Sequence, residues 1–295
     1  MERVAYFTMD LESFYDTSCI KNITSNEIED INYNHIEGLF NYLDLLNYYN
    51  VKGTFFVNAS RLHEFKDAID AIIKDGHEIA LHCYEHISPL EMDDTEFENQ
   101  IREGIRIIKE ELNIDCVGYR APCFGLNESK IEIVKKYFRY DSSVLNYERN
   151  YNTQMIDLKI DEDINDNLKK VGSFYEYMLN ITKVLGVSFP ISGGGYVRLL
   201  PEFIIIRPIY KYIKKHNSFL FYAHPFELVK YKKDEKMKEI MKKLSFLEKL
   251  YLKRGRGKRD YLHKIEKIIV HLLKNGYVFK KMMDIKDWKR IIKDI

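Results

Sequence analysis

The sequence lacks several features that would place it at once, and each shortage excludes something. Its four cysteines, Cys19, Cys83, Cys116 and Cys123, make no C-x-x-C pair and no dense framework. That excludes a disulfide scaffold and a cysteine-built zinc knot, and reduced thiols are expected. No apolar run is long enough to span a bilayer. No basic segment leads into an apolar one near the start, where a strand candidate, Val4–Met9, begins almost at once. A soluble, cytoplasmic protein is expected on that ground. There is no internal repeat, low-complexity tract or flexible linker, so a single domain over 1–295 is expected. A surplus of one charge is also missing, since the whole chain carries +1. No nucleic-acid-binding motif is present, and no nucleic-acid partner is expected.

What is there is a core-building composition, 45% hydrophobic and 14% aromatic. It is patterned as short apolar runs alternating with helical periods. Val4–Met9, Thr54–Val57, Glu78–Leu81, Cys116–Tyr119, Tyr140–Val144, Met155–Ile160, Phe219–Ala223 and Tyr277–Lys281 read as strands. Ile36, Leu39, Phe40, Leu43 and Leu46 recur at helical spacing. Further helices are expected around 68–73, 95–112, 127–137, 235–252 and 260–275, with a short one holding Trp288. Residues 161–195 give no clear pattern. Gly193–Gly195 reads as a tight loop, and Pro208 should kink or end the helix that Pro201 starts. Alternating strands and helices argue for an α/β fold with a largely parallel sheet.

The most informative segment is Gly76-His77-Glu78-Ile79-Ala80-Leu81-His82-Cys83-Tyr84-Glu85-His86. His82 ends a strand candidate, and His86 follows at a spacing that lets two imidazoles meet one metal ion. Two hydrogen-bonded imidazoles are the plain alternative. A carboxylate would complete a three-ligand site. Glu12 is the candidate, Asp10 the free base, and Asp16 a substitute; two residues apart on a strand, Asp10 and Glu12 face one side. Taken alone, that pair could equally cap a helix or line a solvated turn. His77 is expected to start the strand and stay out of the chemistry. Arg120 follows an apolar strand and invites a buried carboxylate such as Asp10, as a catalytic orienter or as an ordinary ion pair. His224 precedes Pro225, which keeps its backbone out of helix. In a barrel of parallel strands, Asp10, His82, Arg120 and His224 would all lie at strand ends on one face, where active sites form.

Taken in order, these segments resemble polysaccharide deacetylases, carbohydrate esterase family 4, with the NodB homology domain. Thr8-Met9-Asp10-Leu11-Glu12 looks like the first motif, and Thr54-Phe55-Phe56-Val57 like the strand after it. Gly76 to His86 resembles the metal motif, Gly118-Tyr119-Arg120-Ala121-Pro122-Cys123-Phe124 the third, and Tyr140-Asp141-Ser142-Ser143 the strand that follows. Phe189-Pro190, Gly193 to Pro201 and His224-Pro225-Phe226-Glu227 are similar to a subgroup linked to exopolysaccharide synthesis. The resemblance runs from about residue 4 to 280. It implies a distorted (β/α) barrel of about seven parallel strands and one divalent metal, commonly Zn2+, with Co2+, Ni2+ or Mn2+ as alternatives. It further implies hydrolysis of an N-acetyl group on an amino sugar. Carried over, Asp10 is the base, Glu12, His82 and His86 are metal ligands, Arg120 orients Asp10, and His224 is the acid. The Cys123 backbone N–H would help hold the oxyanion. The sequence departs from the common pattern in having Asp-x-Glu for two adjacent aspartates, Cys83 for a serine or threonine, and no evident carboxylate partner for His224.

Other features bear on substrate and location. Tyr84, Phe124, Tyr147 and Tyr196 are candidates for stacking on sugar, with core packing as the alternative. Gly193–Gly195, Gly194 above all, would let backbone approach a sugar or phosphate, or simply make a turn. Residues 230–260 hold 13 Lys/Arg against 5 Asp/Glu. The densest piece, 253–259, is either a solvated loop or a contact for anionic lipid headgroups or a phosphate-bearing substrate. With a cytoplasmic address, the expected substrate is an N-acetylated precursor such as a lipid-linked oligosaccharide or a nucleotide sugar. Two rival readings stand beside deacetylation: a C–N hydrolase of cyclic ureides or imides, and a catalytically silent glycan binder.

Overall fold

In the computed structural model, the described residues are 2–12, 35–145, 156–184, 187–228, 235–243, 249 and 258–285. Asp16, Cys19, Tyr147, residues 253–257 and Trp288 lie outside them. The strands are β1 (Arg3–Leu11), β2 (Thr54–Asn58), β3 (Glu78–Cys83), β4 (Gly118–Tyr119), β5 (Tyr140–Asp141), β6 (Glu162–Asp163), β7 (Leu168–Val171), β8 (Phe174–Tyr177), β9 (Ile181–Val184), β10 (Val187–Pro190), β11 (Ser218–Ala223) and β12 (Tyr277–Lys280). The helices are α1 (His35–Tyr48), α2 (Lys66–Lys74), α3 (Asp94–Leu112), α4 (Glu128–Tyr137), α5 (Gly194–Leu199), α6 (Glu202–Lys215), α7 (Glu235–Lys243) and α8 (Lys258–Lys274).

The main sheet runs β11-β1-β2-β3-β4-β5-β8-β7-β6, and β12 pairs with β1. All pairings from β11 through β8 are parallel, and only β8-β7 and β7-β6 are antiparallel. β12 takes the lower part of β1, at Arg3–Tyr6, and β2 the upper part, at Thr8–Leu11. This is the curled parallel sheet that the alternating pattern implied. The seam between β8 and β11 is bridged by buried side chains. Asn180 Nδ2 donates to the Leu220 carbonyl at 2.6 Å, and the Asn167 N–H donates to Ser218 Oγ at 2.9 Å.

Residue alternation sorts the side chains into two cores. Ala5, Phe7, Met9, Phe55, Val57, Ile79, Leu81, Phe219 and Phe221 face the helices. Val4, Tyr6, Phe56, Ala80, Tyr140, Tyr175, Tyr177, Leu220 and Met282 fill the inside of the curl. Thr8, Asp10, Glu78 and His82 share the inward parity, so polar groups sit above and below an apolar plug. Helix ends follow local chemistry. The Asp93 carboxylate accepts from the Glu96 N–H at 2.8 Å to start α3, and Asn127 accepts from the Lys130 N–H at 3.0 Å to start α4. Gly76, at φ +75°, ends the turn that leads into β3.

Three expectations are corrected. Residues 156–160 form no strand: the Leu158 N–H bonds back to the Ile156 carbonyl, and ladder pairing starts only at Asp161, whose N–H reaches Lys170. Pro208 does not end its helix: it lies inside α6, which continues to Lys215. The carbonyl that Pro208 leaves without its helical donor belongs to Ile204, a residue 41% exposed to water, while Ile205, Ile206, Ile209 and Ile213 stay buried. Gly193–Gly195 is the start of α5 and not a free loop. The obscure stretch 161–195 is three short antiparallel strands plus the β9–β10 hairpin.

Candidate active site

Asp10, His82, Arg120 and His224 meet at the C-terminal end of the parallel strands. Asp10 and His82 are the penultimate residues of β1 and β3, while Arg120 and His224 directly follow β4 and β11. Glu12, unlike Asp10, does not reach the site from a regular strand. The Glu12 N–H bonds to the Asp10 carbonyl at 2.8 Å, a three-residue turn that swings both carboxylates to the same centre.

Arg120 is fully buried. Its Nη1 donates to Asp10 Oδ1 at 2.7 Å and to Thr8 Oγ1 at 2.9 Å; its Nη2 and Nε donate to Ser142 Oγ and the Ser142 carbonyl at 2.9 and 3.2 Å. The guanidinium carbon lies 4.2 Å from the Phe56 ring centre. Arg120 is therefore a clamp assembled from three strands, leaving Asp10 Oδ2 turned toward His224. Behind it, Ser143 Oγ accepts from the Ala121 N–H and donates to Asp141 at 2.6 Å, tying the turn after Arg120 to β5.

Glu12 Oε1 lies 2.9 Å from His82 Nε2 and 3.0 Å from His86 Nε2. His82 Nδ1 lies 2.7 Å from the Arg120 carbonyl, which can only accept. Nδ1 is thus a protonated nitrogen, and Nε2 either donates a second proton to Glu12 or offers a lone pair to a metal ion. Two lone pairs at that distance need a cation between them, either a proton or a metal ion. Two imidazoles and one carboxylate make a fitting donor set for a divalent ion, with the His82 ring oriented from behind by the Arg120 carbonyl. The Glu12, His82 and His86 donor atoms lie within 4.8 Å of one another, as do those of Asp10, Glu12 and His224. Burial pushes the Glu12 carboxyl up, but His86 and His224, with hydrogen bonds from His82 and His86, outweigh it and hold it well below the usual carboxylate range.

His224 stands beside this cluster, its Nε2 3.8 Å from Glu12 Oε2 and 3.9 Å from Asp10 Oδ2. Its carboxylate partner, which the sequence did not yield, is Glu227. Oε2 of Glu227 accepts from the His224 backbone N–H at 3.0 Å and lies 3.2 Å from Nδ1, off the line of a straight hydrogen bond. Pro225 opens a 3-10 turn, Pro225–Leu228, whose period folds residue 227 back over residue 224. A His-Pro-x-Glu string is thus half of a capping box, and that was the available signal. Burial lowers the His224 imidazole, but Glu12, Glu227 and Asp10 together raise it to about 9. The ring stacks on Phe226, with centres 5.0 Å apart.

The other candidates are distributed around this centre. Cys123 and Phe124 both have left-handed φ, at 57° and 55°, a pairing rare for non-glycine residues and characteristic of backbone held in place by its surroundings. The Phe124 ring meets Tyr222 edge-on at 5.5 Å. Gly193 and Gly194 are needed for close approach: a Cβ on Gly193 would lie 1.9 Å from the Tyr222 carbonyl oxygen, and one on Gly194 2.5 Å from the Tyr222 hydroxyl. Tyr196 packs edge-on against Phe189. Tyr84 lines a surface groove of about 440 Å³ with Thr95, Asn99 and Gln100 of α3. His77 stays apart, its Nδ1 accepting from the Gly53 N–H at 3.0 Å.

With this geometry in hand, comparison with known proteins narrows the field. A polysaccharide deacetylase family model matches residues 33–138, and a model for a domain of unknown function, DUF3473, matches 143–275. Each of these two matches covers less than half of the chain. A peptidoglycan deacetylase of Helicobacter pylori is 27% identical over 109 residues, a stretch that spans only 37% of either protein. Among solved structures, a protein assigned to the polysaccharide deacetylases from Mycobacterium smegmatis aligns at a TM-score of 0.60 and 20% identity, covering 98% of this chain and 91% of that one. Peptidoglycan deacetylase PdaC from Bacillus subtilis aligns at 0.53 and 13%, covering 99% and 94%. A CE4 family pseudoenzyme from Bacillus anthracis aligns at 0.51 and 12%, covering 96% and 65%. At these identities the structures establish the shared fold. Among the described residues, no helix is long and apolar enough to cross a membrane.

Proposed function

We propose that the chain is a metal-dependent N-deacetylase that releases acetate from an amino-sugar glycan or its precursor. The observation that carries this reading is the convergence of Glu12, His82 and His86 on one point, with Asp10 and His224 beside it. A divalent ion held there, zinc first among the candidates, would polarise the acetamide carbonyl and lower the pKa of a bound water. Asp10 Oδ2 takes the proton of the attacking water, while Oδ1 stays on Arg120, which keeps the carboxylate aimed. The Cys123 backbone N–H, on the turn fixed by Ser143, is the candidate donor to the developing oxyanion. His224 Nε2 gives its proton to the nitrogen as the C–N bond breaks, so acetate and a free amine leave. Glu227 behind Nδ1 favours the protonated ring that this step requires.

Phe124, Tyr84, Gly194 and Tyr196 are the candidate substrate contacts around this centre. The Gly193–Pro201 segment supports a place in the exopolysaccharide-associated branch. A lipid-linked oligosaccharide in the cytoplasm is the precursor we favour, with residues 253–259 against an anionic membrane surface.

The test is a parallel panel: N-acetylglucosamine oligomers and small cyclic imides, each incubated with metal-loaded protein. Acetate release without imide opening is the expected result. Imide opening without acetate would move the site to ring hydrolysis. Neither reaction, with metal bound, would make the chain a silent glycan binder.

A further inference from the structure

A buried polar chain runs from α8 to the back of His224, and none of its outer members touches the reacting centre. Lys264 of α8 is 5% exposed. Its ammonium donates to the carbonyls of Val197 and Arg198 at 3.1 Å each and of Leu200 at 2.7 Å, capping the C-terminal end of α5. Burying an ammonium is costly unless its protons are matched, and here three carbonyls match them. An apolar residue would pack on α5 more cheaply, so the charge serves the geometry of that turn. The turn carries Arg198. Its side chain, 1% exposed, places Nε 3.3 Å from Oε1 of Glu227, whose side chain is wholly buried. The other oxygen, Oε2, holds the His224 backbone and ring. Gly193 and Gly194 press the start of the same helix onto β11 at Tyr222, two residues before His224. The six-residue α5 is thus pinned at both ends beside the histidine.

We infer that Arg198 and Lys264 are positioning residues: Lys264 fixes the turn, Arg198 fixes Glu227, and Glu227 aims His224 at the leaving nitrogen. The inference rests on the reading of His224 as proton donor in amide hydrolysis. A residue that acts only through that proton transfer has a distinctive signature. It matters for an amine, which cannot leave without a proton, and not for 4-nitrophenolate, which leaves as the anion.

The experiment compares wild type, Arg198→Met, Arg198→Lys and Lys264→Met, all metal-loaded, on N-acetylglucosamine oligomers and on 4-nitrophenyl acetate. Positioning of a general acid is part of an effect worth roughly 10²–10⁴-fold. The Met variants should therefore lose about tenfold or more in kcat for the amide, with KM little changed. Their hydrolysis of the aryl ester should stay within about twofold of wild type, and Arg198→Lys should recover most of the amide loss. Equal losses on both substrates, or no loss on the amide, would overturn the inference. An activity-independent arm separates it from the function itself: the imidazole Nδ1–H resonance of His224, assigned by its absence in His224→Gln. We expect it to be observable in wild type and Arg198→Lys, where Glu227 shields it from exchange, and lost in both Met variants. Its persistence in them overturns the positioning chain even if the wild type releases no acetate, which would by itself count only against the deacetylase reading.

Discussion

Glu78 is a carboxyl group in the floor of the curled sheet, and the substitution Glu78→Gln should make the protein's stability less sensitive to pH. The residue opens β3 with inward parity, beneath Ala80 and His82, and is 3% exposed. Its Oε1 accepts from the Tyr140 hydroxyl at 2.7 Å; its Oε2 accepts from Thr54 Oγ1 at 2.7 Å and from the Met283 N–H at 3.0 Å. Burial pushes the carboxyl up from 4.5 to about 7, against the pull of those three donors. A carboxyl raised in the folded state binds its proton more tightly folded than unfolded. Its contribution is therefore fully present below the unfolded value and is lost as pH rises through about 7. Between pH 5 and 8 the loss is about 2–3 kcal/mol, at 1.36 kcal/mol per unit. For a chain of this length that lowers the thermal midpoint by roughly 4 °C. The glutamine amide mimics the protonated group if its NH2 faces Tyr140, whose hydroxyl can turn to accept. The assay is differential scanning calorimetry of both proteins at pH 5, 6, 7 and 8. Asp141 and Glu176, which burial also raises, affect both proteins alike. The wild-type midpoint should fall about 4 °C further than the variant's. Parallel curves would refute the assignment of a protonated Glu78.

Three further outcomes follow from the same geometry. Asp10→Asn should keep its metal and lose about 10²-fold or more in acetate release; more than a tenth of wild-type activity in a turnover assay would count against Asp10 as base. Arg120→Met strands the buried Asp10 carboxylate and should cost about 3–5 kcal/mol in urea unfolding; a change under about 1 kcal/mol would mean that the pair is dispensable. Gly193→Ala places a Cβ against the Tyr222 carbonyl at φ +129° and should cost about 3 kcal/mol or more; a wild-type denaturation midpoint would show that α5 can shift without penalty.

Much of this was legible in the sequence, and the reasons are particular. β1, β3 and β11 are buried on both faces, so each stands out as an apolar run closed by Asp10, His82 or His224. The Arg120–Asp10 contact was legible because an arginine after an apolar strand needs a carboxylate, and Asp10 was a candidate ending another strand. The convergence of Asp10 and Glu12 was inferred from strand alternation, whereas the structure achieves it with a three-residue turn. Glu227 was missed because strand and helix periods do not describe a 3-10 turn, in which a residue folds back over the one three before it. Arg198 and Lys264 gave no local signal. Their pairing depends on a helix 66 residues away in the chain, and a lone lysine or arginine in a charge-rich sequence reads as solvated. Residues 161–195 were opaque because four-residue strands are too short for alternation to show. Gly172, with φ +63° between β7 and β8, was one turn marker among those short strands.

The most direct test of the account is the metal content of purified protein, measured by elemental analysis on wild type and on the His82→Ala/His86→Ala double variant. The account predicts about one divalent ion per chain in the wild type and loss of that ion in a folded double variant. No bound metal in either protein after reconstitution would contradict it, as would the same content in both.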